Sequence, residues 1–387
     1  MIYRLRRYRS FEEAVTDLSR LGMSAPPAGP AVPSALFVEG RKEEIQAVHR
    51  RFWERGVEIA SSERGHRSRA CMVGDDEDLR TWAELLPDRG AATRAMGSYH
   101  SDDAPPVRIP GGALTFDRPL VMGILNVTPD SFSDGGSCKS VEASVLKGLA
   151  MVEEGADIID VGGESTRPGA APVPLEEEIR RTVPVIKEIV ARTDIPISVD
   201  TMKPEVAAAA VAAGAHIIND VTGLEDPRMI DVAAEAAVPV VLMHMLGTPQ
   251  TMQSLVDAST YDDIVSDIMW RWEERMAAAE IRGLERDMVI LDPGIGFAKL
   301  QEHNLEVLDR IRELRCAGRP VLIGASRKGF VRKLAGGSVE QRAGGSLAAA
   351  SVAVMNGANI VRAHDVPETA GALRLIDAVR KRPRERR

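Results

Sequence analysis

From Leu120 onward the chain repeats one pattern eight times: a short run of Ile, Val, Leu or Met that stops at a polar residue. The runs are Leu120–Asn126, Ile158–Gly162, Ile195–Asp200, His216–Asp220, Val238–His244, Met288–Asp292, Pro320–Ala325 and Asn359–Ala363. They are apolar without alternation, as parallel strands buried on both faces should be. Helical periods fill the gaps. Leu175–Ala191 repeats Ile179, Val183, Ile186 and Val190, and alanine-rich Pro204–Gly214 stops at a glycine. Tyr261–Arg282 is the longest helix expected, Val339–Gly357 offers Ala348, Ala349 and Ala350 for close packing, and a last helix follows Pro367. Eight strand–helix units in about 270 residues predict an α/β fold, a (β/α)8 TIM barrel. A doubly wound open sheet fits the count less well, and its Gly-x-Gly-x-x-Gly turn is absent.

Residues 1–100 have another character. Ala35–Glu39, Val57–Ala60 and Ala70–Val73 read as strands, Arg41–Arg55 and Asp76–Leu86 as helices. They predict a small α/β domain without a motif that carries chemistry. Gly22–Pro33, rich in proline and alanine, reads as an irregular loop. Residues 101–118 cluster proline, glycine and acid and read as a linker and lead-in to a barrel spanning 119–381. Residues 382–387 form a basic tail, best read as a solvated helix end.

The 387 residues carry a formal net charge of −8, which argues against a nucleic-acid partner. No apolar run reaches the roughly 18 residues a membrane helix requires. The 3 cysteines, Cys71, Cys138 and Cys316, are far apart and suit the reduced thiols of a cytoplasm. The basic N-terminus lacks the apolar core of a secretion signal, which agrees with a cytoplasmic protein.

Barrel enzymes place their chemistry at the C-terminal ends of the strands. Here the ends carry Asn126, then Glu164 to Gly169, Asp200-Thr201, Asn219-Asp220, His244, Asp292-Pro293-Gly294, Ser326-Arg327-Lys328 and Arg362-Ala363-His364-Asp365. A single polar end is an ordinary surface loop; eight together point to a site. Ends 7 and 8, where this fold binds phosphate, bring Ser326, Arg327, Lys328, Arg362 and His364, a local set of anion donors on an acidic protein. An anionic, phosphorylated substrate is expected. Asp200, Asn219 and Asp292 offer acceptors suited to a flat heterocycle with adjacent N–H donors. The same carboxylates with a lysine could instead make a structural ion-pair network.

Other chemistry fits less well. His244 and His364 lack Cys or His partners at zinc spacing. Magnesium fits better, held by substrate phosphates and an oxygen such as that of Asn126. Ser131 and Ser133 lack a His–acid arrangement, and Gly-x-Ser-x-Gly is absent. Met243 and Met245 read as core or pocket wall.

Several segments, taken together and in order, resemble the dihydropteroate synthase family of pterin-binding TIM barrels. They are Asn126 to Gly135, Gly163 to Gly169, Ser198-Val199-Asp200-Thr201, Ile218-Asn219-Asp220, Met243-His244-Met245, Asp292 to Phe297, Ser326-Arg327-Lys328 and Arg362 to Asp365. The resemblance covers about residues 110–380. It implies a step of folate synthesis in which 6-hydroxymethyl-7,8-dihydropterin pyrophosphate loses pyrophosphate and p-aminobenzoate takes its place. By that resemblance Asp200, Asn219, Met243, Asp292 and Lys328 hold the pterin. Asn126, Thr166, Arg362 and His364 hold the pyrophosphate, with Mg2+ on Asn126. Phe132, Arg167, Pro168, Phe297 and Ser326 surround p-aminobenzoate, and Asp292, Lys328, Asp200, Arg362 and His364 serve catalysis. A homodimer and a sulfonamide target are implied likewise. Two features depart from the simplest pattern: the extension of about 100 residues, and Gly329 where a side chain could shape the p-aminobenzoate slot.

Two other readings share part of this pattern. A methyltetrahydrofolate–corrinoid methyltransferase-like barrel would share Asp200, Asn219 and Asp292 but gives no reason for the cations at ends 7 and 8. A non-catalytic pterin-binding regulator would use residues 1–100 to contact a partner.

Overall fold

The computed structural model describes residues 1–24, 30, 33–55, 57, 59–64, 67–127, 138–165, 171–252, 254–336 and 342–382. The chain divides into two compact units. The first comprises residues 1–103 with 261–273 and 312–318; the second comprises 104–260, 274–311 and 319–387.

In the first unit the chain runs β1 (Ile2–Arg7), α1 (Phe11–Arg20), β2 (Ser34–Arg41), α2 (Lys42–Trp53), β3 (Ala60–Arg64), β4 (Arg67–Gly74), α3 (Asp76–Ala83) and α4 (Arg89–His100). The strands form an antiparallel sheet in the order β1-β2-β4-β3, with Leu5 opposite Leu36 and Phe37 opposite Cys71. β1, α1 and α4 are additions to the elements expected from the sequence. α1 starts where the Ser10 hydroxyl accepts the Glu13 N–H at 3.2 Å, an N-cap that satisfies an otherwise orphaned donor. The amphipathic helix then buries Ala14 and Leu18 against Tyr8, Phe37 and Cys71. Much of the expected loop Gly22–Pro33 lies outside the described residues.

The second unit opens on a hairpin, β5 (Val107–Ile109) and β6 (Gly112–Leu114), within the stretch expected to be a linker. Its few apolar side chains explain it. Val107, Leu114 and Phe116 are buried against Met122, Ile158, Ile217, Val241, Ile290, Leu322 and Ile360, so the hairpin seals the interior of the sheet that follows.

That sheet is built from β7 (Leu120–Asn126), β8 (Ile158–Gly162), β9 (Ile197–Asp200), β10 (Ile217–Asp220), β11 (Val240–Met243), β12 (Val289–Asp292), β13 (Leu322–Ile323) and β14 (Ile360–Ala363). All are parallel and pair in the order β12-β11-β10-β9-β8-β7-β14-β13. A parallel bridge from Leu291 to Val321 closes β12 onto β13. The result is the eight-stranded barrel. The helices that follow are α5 (Cys138–Glu153), α6 (Leu175–Val190), α7 (Pro204–Ala212), α8 (Pro227–Ala236), α9 (Ile264–Ile281), α10 (Gln301–Asp309), α11 (Ile311–Leu314), α12 (Gly329–Ala335), α13 (Arg342–Met355) and α14 (Val366–Arg380); the start of α9, through residue 273, and α11 after Ile311 belong to the first unit. Gly345 of α13 is one glycine the packing requires, because a Cβ there would stand 2.7 Å from Val331 of α12. No described helix is long and apolar enough to cross a membrane. Cys71 and Cys316 are buried free thiols, both held above the ordinary thiol pKa by burial.

Candidate active site

The C-terminal ends of the strands surround a cavity of about 930 Å3. Its wall includes Asn126 from β7, Asp200 from β9, Phe297 after β12, Ser326 and Lys328 after β13, and Arg362 and His364 from the end of β14. Asn219, Met243 and Asp292 do not form the wall. They are buried at the ends of β10, β11 and β12, 4%, 4% and 7% exposed. Met243 packs with Met252 and Phe297, which do line the cavity. Phe132, Thr166, Arg167 and Pro168 lie outside the described residues.

A hydrogen-bonded chain of side chains crosses the mouth of the barrel. Asn219 Nδ2 donates to Asp160 Oδ2 at 3.1 Å, and Arg362 Nε donates to the same oxygen at 2.6 Å. Arg362 Nη2 donates to Asp200 Oδ2 at 2.6 Å. Burial pushes the Asp200 carboxyl up to about 7; Arg362 opposes the shift and Asp160 adds to it. Burial acts against the Arg362 charge, but Asp160 and Asp200 hold its pKa above the ordinary value. The buried Asp292 carboxyl is raised by burial, while the Gly294 N–H, donated to its Oδ1 at 2.7 Å, and then Lys328 favour the charged form. Gly294 has φ +70°, and a Cβ there would stand 2.1 Å from the His244 carbonyl. Only glycine lets the chain turn under Asp292 in this way.

Lys328 Nζ lies 3.9 Å from the centre of the Phe297 ring, a cation over an aromatic face in the cavity wall. Ser326 and His364 tie ends 7 and 8 together: Ser326 Oγ and His364 Nδ1 are 3.1 Å apart, and the His364 N–H donates to Ser326 Oγ at 3.2 Å. Arg327, expected among the anion donors, lines the cavity and carries an ion pair. Its backbone takes φ +57°, its N–H donates to Ser346 Oγ at 3.1 Å, and its guanidinium forks onto the Asp365 carboxylate. This left-handed residue lines the cavity together with Ser326 and Lys328 while its guanidinium pairs with Asp365.

Two buried groups escaped the sequence reading. Asp160 sits inside β8 and not at its end, where strand-end reasoning looks. Lys299, 4% exposed, lines the cavity and donates to His244 Nδ1 at 3.0 Å and to the Phe297 carbonyl at 3.1 Å. Burial lowers its pKa to about 7, with Asp292 opposing. It follows Gly294-Ile295-Gly296-Phe297, a segment already singled out, and a lysine there was the available signal.

A parallel barrel with acceptors and cations around one mouth defines an enzyme for a flat, anionic substrate. The model of the family described as pterin binding enzymes matches residues 122–364. The dihydropteroate synthase of Escherichia coli K12 is 47% identical over 268 residues, 69% of this chain and 94% of that protein. The Xanthomonas albilineans dihydropteroate synthase solved with 4-aminobenzoic acid is 50% identical; the match covers 72% of this chain and 100% of that one, at a TM-score of 0.66. The Xanthomonas albilineans enzyme in complex with 7,8-dihydropteroate is 47% identical over 72% of this chain and 100% of that one, at a TM-score of 0.64. The chain belongs to the pterin-binding enzymes and, within them, to the dihydropteroate synthases, transferases of folate biosynthesis.

Proposed function

We propose that the chain condenses 6-hydroxymethyl-7,8-dihydropterin pyrophosphate with p-aminobenzoate to give 7,8-dihydropteroate and pyrophosphate, using the residues gathered at this mouth. The observation that carries the assignment is one cavity walled both by Asp200 and by Lys328, Arg362 and His364. Acceptors for a heterocycle's N–H groups and donors for a diphosphate thus share one space. Asp200, Asn219 and Asp292 accept from the pterin, with Met243 behind the wall and Lys328 against the ring. Asn126, Arg362 and His364 hold the pyrophosphate together with Thr166, and Phe297 and Ser326 flank p-aminobenzoate together with Phe132, Arg167 and Pro168.

In the reaction the arylamine nitrogen forms a bond to the pterin methylene carbon. The carbon–oxygen bond breaks, pyrophosphate leaves with the bonding pair, and the nitrogen releases its proton. Positive charge grows on the methylene–pterin unit, where the fixed Asp292 carboxylate stabilises it. Arg362 and His364 stabilise the opposite charge on the leaving group. No protein nucleophile is needed, so orientation of the weakly basic arylamine matters most.

Among the described residues no cluster of three or more His, Cys, Asp or Glu side chains could hold a metal. The exposed Asn126 amide at the end of β7 offers one neutral oxygen beside the cations of the wall. That donor set fits magnesium, which prefers to keep its waters and to take further ligands from phosphates. Asn126 would hold the ion, whose chemistry there is neutralisation of the leaving group's charge. We also propose a homodimer, supported by the exposed apolar residues Val352 and Met355 of α13 and Leu375 and Val379 of α14.

The test is pyrophosphate release and dihydropteroate formation with p-aminobenzoate and magnesium present or omitted in turn. Product that requires both is expected. Pterin binding without product under any condition would refute the assignment.

A further inference from the structure

Asp160 is fully buried, lies outside the cavity wall, and has no part in the chemistry above. Yet its Oδ2 receives two N–H groups from strands that are not its neighbours. Asn219 comes from β10, with β9 between, and Arg362 from β14, with β7 between. Side chains from alternate strands meet in this way inside a parallel barrel. Asp160 Oδ1 is buried and accepts no hydrogen bond. The carboxylate therefore commits one oxygen to two donors and nothing else.

The consequence for Asn219 is chemical. Its amide has a donor end and an acceptor end of nearly equal shape, and only its partners decide which faces where. A carboxylate can only accept, so Asp160 selects the amide nitrogen. No described residue donates to the remaining Oδ1. A pterin edge presents N–H donors, so that oxygen is the end it needs. Arg362 is oriented by the same atom: with Nε on Asp160 and Nη2 on Asp200, its guanidinium is fixed while it lines the cavity.

We infer that Asp160 is a positioning residue: it fixes the polarity of the Asn219 amide, so that an acceptor and not a donor meets the pterin ring. The inference rests on the reading of this mouth as a pterin site. A donor turned toward the ring's N–H groups leaves both unpaired in a buried place, which corresponds to about 10- to 100-fold in affinity.

The experiment measures binding of 7,8-dihydropterin to the full chain by calorimetry, with kcat and KM for both substrates. Asp160→Leu fills nearly the same space without an acceptor. It should weaken 7,8-dihydropterin binding about 10- to 100-fold and leave KM for p-aminobenzoate within about threefold. Asp160→Asn can keep an oxygen between the two donors and should retain binding within about fivefold. In an Asn219→Ala background Asp160→Leu should cost no more than about threefold further, because its effect runs through Asn219. Should Asp160→Leu fail to fold, Asp160→Ala is read against the same two backgrounds.

A space-filling role predicts wild-type binding for Asp160→Leu, and that result overturns the inference. A role as mere counter-ion to Arg362 predicts equal losses for Asn and Leu, or an undiminished loss in the Asn219→Ala background; either also overturns it. Failure of the unaltered protein to bind 7,8-dihydropterin would instead refute the pterin reading itself.

Discussion

Replacing Arg4 by methionine should destabilise the first unit by about 3 kcal/mol. Arg4 sits in β1 with none of its side chain exposed, donates to Asp263 at 2.7 Å and Glu39 at 3.3 Å, and pairs with Glu313. Its guanidinium also lies 4.2 Å from the centre of the Phe37 ring. The side chains of those carboxylates are 0%, 3% and 4% exposed, so none can turn to water when the cation is lost. Breaking one partner out of a buried ion pair costs about 3–5 kcal/mol. Two contacts temper the loss: Arg69 Nε lies 3.6 Å from Glu39, and Arg6 Nε 3.5 Å from Glu313. Asp263 accepts the Val265 N–H at 3.2 Å and the Ser266 N–H at 3.4 Å as α9 begins. The net, about 3 kcal/mol, moves a urea midpoint by roughly 1–3 M. Tryptophan fluorescence reads this unit directly, because the chain's 4 tryptophans, Trp53, Trp82, Trp270 and Trp272, all fall within it. Arg4→Lys should recover only part of the loss, since a point charge cannot serve three carboxylates as a planar fork does. A midpoint for Arg4→Met within the equivalent of about 0.5 kcal/mol of the unaltered protein would refute the argument.

Lys328→Met should lower kcat/KM by about a hundredfold or more, the scale of a lost transition-state contact. Its thermal midpoint should stay unchanged, because Lys328 is only half-buried in the cavity wall; wild-type turnover would remove Lys328 from the site. Binding of 7,8-dihydropterin should also release protons, because N–H donors favour the ionised form of Asp200, whose pKa is about 7. Calorimetry in buffers of different ionisation enthalpy should find about half a proton released per site at pH 7, falling toward zero by pH 9. Proton uptake at pH 7, or release independent of pH, would contradict the role given to Asp200.

What the sequence conceals follows from physics as much as what it reveals. A parallel strand buried on both faces is written as continuous Ile, Val and Leu, so the barrel is legible from its apolar runs. β1 is not, because Arg4 occupies a buried position where alternation calls for an apolar residue, and the Arg6–Arg7 pair reads as a solvated terminus. The hairpin of β5 and β6 is hidden by its three-residue strands, set among proline and glycine. At the mouth, the terminal polar residues are legible because each ends an apolar run. Asp160 interrupts nothing at the end of its strand. Its meaning depends on strands two places away on either side, a relation that exists only once the barrel closes.

The buried charges at this mouth set function against stability. Asp200 has a folded pKa of about 7, above its ordinary value of 3.8, so the folded state holds the extra proton between those values. Its contribution to stability is therefore lost as pH rises through that window. Lys299 has a folded pKa of about 7, below its ordinary value of 10.5, so between 7 and 10.5 the unfolded state holds the extra proton. Its contribution rises with pH across that second window. Together the two groups place their greatest cost near pH 7, between one window of falling and one of rising stability. A ligand that brings N–H donors to Asp200 relieves the first cost, since it supplies the hydrogen bonds that burial withheld. The thermal midpoint of the ligand-free protein should accordingly gain more near pH 7 than near pH 5 from Asp200→Asn, and a larger gain at pH 5 would reverse the sign argued here. On the proposed reading, the carboxyl whose burial costs stability is the one whose ionised form a bound pterin would favour.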